Sequence, residues 1–153
     1  MSGRAIGTAT EAGPGRGVDR PFMMRGVRGA TTVREDRPEA IEAAVHELLG
    51  LMVAKNHIAA DDLAAAFFSV TDDLRSAFPA AGARSFGWHS VPLLDVREAA
   101  GADDLERCVR VLLLWNTRRT PQEIRHVYLH GAAALRPDLA GGSLARAVPF
   151  AGG

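Results

Sequence analysis

Arg28, Arg84, Arg110 and Arg136 fall at positions that read as ordered, together with Glu98 near a strand end and the aromatics Phe78 and Tyr128. Guanidinium groups are planar donors that grip carboxylates bidentately. Beside an acid, a phenol and an apolar ring, they suit a small, partly apolar ligand carrying two carboxylates and a hydroxyl. Taken alone, that set does not separate catalysis from sensing. Arg110 is its most telling member, because it interrupts Cys108–Trp115, CVRVLLLW, the densest apolar run in the chain. A guanidinium there is expensive to desolvate unless an acceptor pairs with it. It is either an anion-binding group aimed into a cavity, or a structural ion pair or solvated strand end; the run leaves these open.

Other chemistries lack their residues. The sequence has no dinucleotide-binding glycine fingerprint, no phosphate-binding P-loop, no His-Glu-x-x-His and no Gly-x-Ser-x-Gly. The lone Cys108 excludes an internal disulfide and a thiolate metal cluster, and reads as a buried small hydrophobe. His46 and His57 have no ligand spacing. With 153 residues, 47% hydrophobic and 24% charged, the chain is expected to form one globular domain. Its 18 acidic and 18 basic residues balance, which argues against nucleic acid as a partner. Of the basic residues 17 are arginine and one is Lys55, so any bound anion is held by planar donors. No apolar run approaches the roughly 18 residues of a membrane span, and residues 1–22 contain no signal-peptide core. A cytoplasmic setting follows by default.

The elements that must position these side chains can be read from period and punctuation. Residues 1–22, Gly-rich and without period, are expected to be a flexible extension, with an ordered domain over 23–139 and a loose tail over 140–153. Phe22–Val33 reads as a first strand broken by Gly26 and Gly29, with Arg25 and Arg28 on opposite faces. Asp36-Arg37-Pro38-Glu39 reads as a capped start to a helix of about five turns. Its apolar stripe is Ile41, Val45, Leu48, Leu49, Met52 and Val53, and it ends near Asn56. Leu63–Val70 is a second strand. A short helix or turn from Thr71 is expected to close at Pro79, leaving residues 78–84 as a small-residue loop. Val91–Val96 is an edge strand, because of Pro92. Cys108–Trp115 reads as a strand buried on both faces. Thr120-Pro121-Gln122-Glu123 is a second capping signature. Arg125–Leu129 is a strand carrying Tyr128, continued weakly by Gly131–Leu135. The fold class is therefore α+β, a mixed sheet packed with one long and several short helices. One long helix covers only one face of such a sheet, and self-association is the usual cover for the other.

Five segments carry a family resemblance: MRGVRGATT at 24–32, FPAAGAR at 78–84, WHSVPLLDVRE at 88–98, CVRV at 108–111 and TPQEIRHVYLHGAAALRPDL at 120–139. In order and content they resemble the trimeric α/β class of monofunctional chorismate mutase. That resemblance implies a homotrimeric pseudo-α/β-barrel with active sites in the clefts between neighbouring subunits. It implies conversion of chorismate to prephenate by a Claisen-type sigmatropic rearrangement, in phenylalanine and tyrosine biosynthesis. The reaction needs no cofactor, since no proton, hydride or covalent bond to the protein is required.

Carried over by position, the resemblance implies that Arg28 grips a substrate carboxylate. Arg110 is placed by the ether oxygen and a carboxylate, Glu98 receives the ring hydroxyl, and Tyr128 helps hold a carboxylate. Phe78, Arg84, Leu135 and Arg136 wall or close the pocket, with Ala80 and Leu93 behind them. Asp95 stands where a well-known relative has a cysteine near the substrate hydroxyl, and it could share that hydroxyl with Glu98, raising one of the two carboxylate pKa values. Ala81 replaces a lysine, and the Arg84–Trp88 interval is one residue shorter. The alternatives are a trimeric imine deaminase of similar assembly, or a degenerate protein that binds an aromatic metabolite without turning it over.

Overall fold

Apolar side chains at alternate positions put β4 (Cys108–Thr117) in the middle of a five-stranded mixed sheet. The computed structural model describes residues 20–99 and 105–138. Residues 1–19 of the extension expected over 1–22, and the tail expected over 140–153, lie outside the described residues. β4 runs antiparallel to β1 (Met23–Thr32) on one side and to β2 (Leu63–Val70) on the other. β3 (Leu93–Arg97) pairs parallel with β2, and β5 (Val127–Tyr128) parallel with β1, giving the order β3-β2-β4-β1-β5. Pro92 lies just before the edge strand β3, where its missing N–H interrupts no ladder.

The long helix α1 (Pro38–Asn56) buries Ile41, Val45, Leu48, Leu49 and Met52, the stripe its period predicts. They meet Val27 of β1, Phe68 of β2 and Val109, Val111 and Leu113 of β4 in the main core. The expected cap by Asp36 does not form: Pro38 takes the first helical position, so Arg37 becomes the N-cap. Asp36 instead accepts the N–H groups of Arg75 and Ser76, each at 3.0 Å, and the Ser76 hydroxyl at 2.7 Å. At the other end Asn56 is fully buried. It donates to the Met52 and Arg125 carbonyls and accepts the Arg125 N–H, tying the helix to the approach of β5.

Three further expectations are corrected. Pro79 opens a helix, α2 (Pro79–Phe86), in place of the small-residue loop expected over 78–84. Proline suits a first helical position, Phe78 before it is extended, and Gly87 at φ 117° ends the helix. Gly131–Leu135 does not continue the strand of Tyr128. His130 turns the backbone to φ 51°, and a 3₁₀ helix over His130–Leu135 follows. Thirdly, β4 is not covered on both faces. Val109, Val111, Leu113 and Trp115 are buried against the helix layer, whereas Leu112 on the other face is 39% exposed, and on the same face Leu94 and Val96 of β3 are 52% and 44% exposed. α1 and α2 lie on one side of the sheet; on the second side the 3₁₀ helix over His130–Leu135 covers only the end at β1 and β5, and the face toward β3 is left uncovered by the described residues. No helix among the described residues is long and apolar enough to cross a membrane.

β1 is continuous through Gly26 and Gly29, where the sequence suggested breaks. Gly29 has a packing reason instead: a Cβ there would collide with Sδ of Met52 and come within 3.1 Å of Val111 Cγ1. Its absence lets α1 sit down on the sheet. Gly29→Ala is expected to lower stability by about 1–3 kcal/mol through overpacking, measured by urea denaturation.

Candidate active site

Strand register assembles the site on the uncovered face. Val96, Ser69, Arg110, Ala30 and Tyr128 stand in one row across all five strands, each paired with the next. The neighbouring row is Leu94, Phe67, Leu112 and Arg28. Because paired residues share a face, the two rows place Arg28, Arg110 and Tyr128 around one depression. It is a cleft of about 450 Å³, lined also by Ser69, Leu135 and Arg136, within the usual size of a small-molecule site.

Arg110 is held by Glu98, with its Nη1 at 2.5 Å from Oε1 and both side chains largely buried. The Glu98 backbone is anchored in turn, its N–H donating to the Val70 carbonyl at 3.1 Å. The two readings left open for Arg110 are therefore compatible: it is ion-paired, and it also lines the cleft. Arg28 lines the cleft with no carboxylate against its guanidinium among the described residues. Arg25, on the opposite face, donates from Nε to the Arg119 carbonyl, so only one of the two β1 arginines faces the cleft. Arg136 makes a bidentate contact with Asp138, at 3.0 and 2.9 Å. That contact pushes the arginine pKa up and the aspartate pKa down. Tyr128 is buried against Ala30, Cys108 and Ala132, a small second cluster that backs the cleft and contains the buried thiol. Three guanidinium groups, two of them paired with carboxylates (Arg110 with Glu98, Arg136 with Asp138), leave the cleft with an excess of positive charge that suits a small anion.

Leu93 and Asp95 belong elsewhere within the chain. By strand alternation they face the helix layer, since Asp95 pairs with the core residue Phe68. Asp95 Oδ1 accepts the Ala80 N–H at 3.0 Å, capping the first turn of α2. Its pKa is raised by burial, with the Ala80 bond and Arg84 opposing; the expected sharing of a hydroxyl with Glu98 is not the cause. Phe78 and Arg84 sit at the N-cap and in the last turn of the same helix, and Phe78 is 71% exposed. One chain thus brings Arg28, Glu98, Arg110, Tyr128, Leu135 and Arg136 together, and gathers Phe78, Arg84, Leu93 and Asp95 around α2.

Sequence reasoning passed over Ser69 and His126. Ser69 is the one hydroxyl in the run LAAAFFSV, and a strict period of two from Phe67 would have put it on the cleft face. His126 lies two residues before Tyr128, and its Nδ1 accepts the backbone N–H of Arg28 at 2.9 Å. Nothing in the sequence announces a side chain bonded to a strand nearly one hundred residues earlier.

Comparison with known proteins agrees with this architecture. Residues 24–139 match the family described as chorismate mutase type I. The chorismate mutase AroH of Thermus thermophilus is 54% identical over 118 residues, covering 76% of this chain and 97% of that protein. The chorismate mutase AroH of Bacillus subtilis is 39% identical over 119 residues, covering 77% and 94%. The structure of a chorismate mutase from Clostridium thermocellum matches with a TM-score of 0.70 and 41% identity, over 72% of this chain and 98% of that one.

The α2 cap gives a test of where Asp95 acts. Asp95→Ala removes the acceptor and is expected to cost about 1 kcal/mol, whereas Asp95→Asn keeps an acceptor oxygen and is expected to stay within about 0.5 kcal/mol of wild type. Burial makes the charged form the costly one, so wild type should gain on the Asn variant as pH falls through the raised pKa toward the ordinary aspartate range. Thermal unfolding of the three proteins at neutral and mildly acid pH reads both effects.

Proposed function

The chain belongs to the chorismate mutase type I family, and on that premise we propose how its cleft turns chorismate into prephenate. The observation that carries the reading is the pair of guanidinium groups, Arg28 and Arg110, on adjacent rows of one sheet face. The substrate has a flexible enolpyruvyl arm with one carboxylate and a ring with another. Arg28 and Tyr128 hold one carboxylate and Arg110 reaches the other, folding the arm over the ring into the compact conformer that reacts. As the C–O bond breaks, negative charge grows on the ether oxygen. A guanidinium already fixed beside that oxygen stabilises the transition state more than the ground state. Glu98 fixes the Arg110 fork and accepts the ring hydroxyl; it orients and transfers no proton. Leu135 and Arg136 wall the cleft. The imine-deaminase and non-catalytic readings find no support among the matched relatives.

The rest of the site comes, in this reading, from a second copy. The cleft lies on the uncovered sheet face, whose exposed leucines and valine call for an apolar cover. Phe78 and Arg84, with Leu93 and Asp95 behind them, project from α2 and β3 away from the cleft of their own chain. A homotrimer with each cleft completed by the neighbour's α2 and β3 accounts for both, and three is the number the family resemblance implies. The setting is cytoplasmic, in the route to the aromatic amino acids.

A neutral isostere at position 110 (Arg110→citrulline) is expected to lower kcat by about 10³-fold or more, followed as loss of chorismate absorbance with prephenate identified as product. Near-wild-type turnover would overturn the role of Arg110. Light scattering on a sizing column is expected to give three times the 16.3 kDa of one chain; a monomer turning over at full rate would overturn the shared site.

A further inference from the structure

We propose that His126 is a positioning residue for catalysis, its Nδ1 standing in for a strand carbonyl to fix the backbone of Arg28 at the cleft. The inference rests on the reading of Arg28 as a carboxylate grip.

β5 is two residues long, and its pairing with β1 covers only Gly29 with Val127 and Ala30 with Tyr128. The Leu129 N–H reaches the Ala30 carbonyl at 2.9 Å, so the ladder is complete on that side of Tyr128. It runs out on the other side, at Arg28. On the far side β4 flanks Arg28, with Leu112 as its register partner, but the Arg28 N–H points toward β5. On the near edge the backbone N–H of Arg28 donates to His126 Nδ1 at 2.9 Å. A side chain thus lengthens the ladder by one rung at the residue whose guanidinium enters the cleft.

The bond also fixes the state of the ring. A backbone N–H can only donate, so Nδ1 is unprotonated and the ring proton sits on Nε2. An imidazolium would set a donor against a donor. The surroundings agree: burial first, then the charges of Arg28 and Arg136, hold the His126 pKa below its ordinary value. A neutral histidine between two substrate-facing cations adds no charge to the site and keeps its acceptor lone pair on the Arg28 backbone. Asn56, on the Arg125 backbone, holds the preceding residue from the helix side and limits how far the ring can move.

The experiment is a double-mutant cycle between His126→Ala and Arg28→Ala on the purified enzyme, with His126→Asn as the conservative variant. Asparagine places an oxygen close to where Nδ1 stands. His126→Ala is expected to lower kcat/KM about 10-fold, chiefly through KM, and His126→Asn to restore most of it. In the Arg28→Ala background His126→Ala should have little further effect, because the residue it serves is gone. An equal loss from His126→Ala in both backgrounds would overturn the inference, as would failure of His126→Asn to rescue while its thermal midpoint matches wild type. If Arg28→Ala by itself leaves kcat/KM unchanged, the carboxylate grip is wrong and the positioning role falls with it; that outcome is distinct from additivity.

Discussion

The contact between the Glu98 carboxylate and the Arg110 guanidinium lets a cation stand in the middle of the sheet of this chorismate mutase. Arg110 lies on the central strand, between Ser69 and Ala30, in a row that is otherwise apolar or small apart from the serine and Tyr128. Removing either charge would leave the other partly buried without its counter-ion, a loss usually larger than the net worth of the pair. The pair is therefore weak evidence for stability and good evidence for specificity: it fixes the fork in one place. The same guanidinium lines the cleft, and under the proposed mechanism its desolvation is useful, since in a low-dielectric site a preorganised charge acts strongly on a developing anion and needs little reorganisation to do so.

A second constraint is that both α-helices dress the same side of the sheet. α1 and α2 cover the odd-numbered residues of β1 and β4, and Gly29 lets α1 approach closely. The even-numbered positions then carry both the exposed apolar side chains and the ones that line the cleft. If a second chain covers this face, as proposed, it shields the charged groups from water without disturbing the chain's own core. The grouping of Phe78, Arg84 and Asp95 around α2, apart from the cleft, fits the same division of labour.

Much of this was legible beforehand because local rules dominate where contacts are local. The periodicity of Ile41, Val45, Leu48 and Met52 gave α1, and the composition of Leu63–Val70 and Cys108–Trp115 gave two strands of the sheet. Pro121 and Glu123 gave the 3₁₀ turn, in which the Thr120 N–H donates to the Glu123 carboxylate at 2.7 Å. The errors fall where one residue has two local uses. Proline both closes and opens helices, and Pro79 opened one. Asp36 is a good cap by type, but it found three donors around Ser76. Glycine breaks strands in isolation, yet Gly29 stays in register because a helix needs the space.

By itself the sequence determined much of the inventory: the long helix and the main strands, that all but one of the basic residues are arginines, and which residue types could serve a dicarboxylate. Those follow from side-chain chemistry and from periods of two and 3.6, which act over a few residues. Only the tertiary structure decided which inventory members meet. The register of β1, β4 and β2 put Arg28 and Arg110 on one face. A capping bond took Asp95 to α2 and away from Glu98, and a histidine ring was set against the Arg28 backbone. These are contacts between distant segments, fixed by packing and by the need of every buried donor for an acceptor, and no spacing along the chain encodes them.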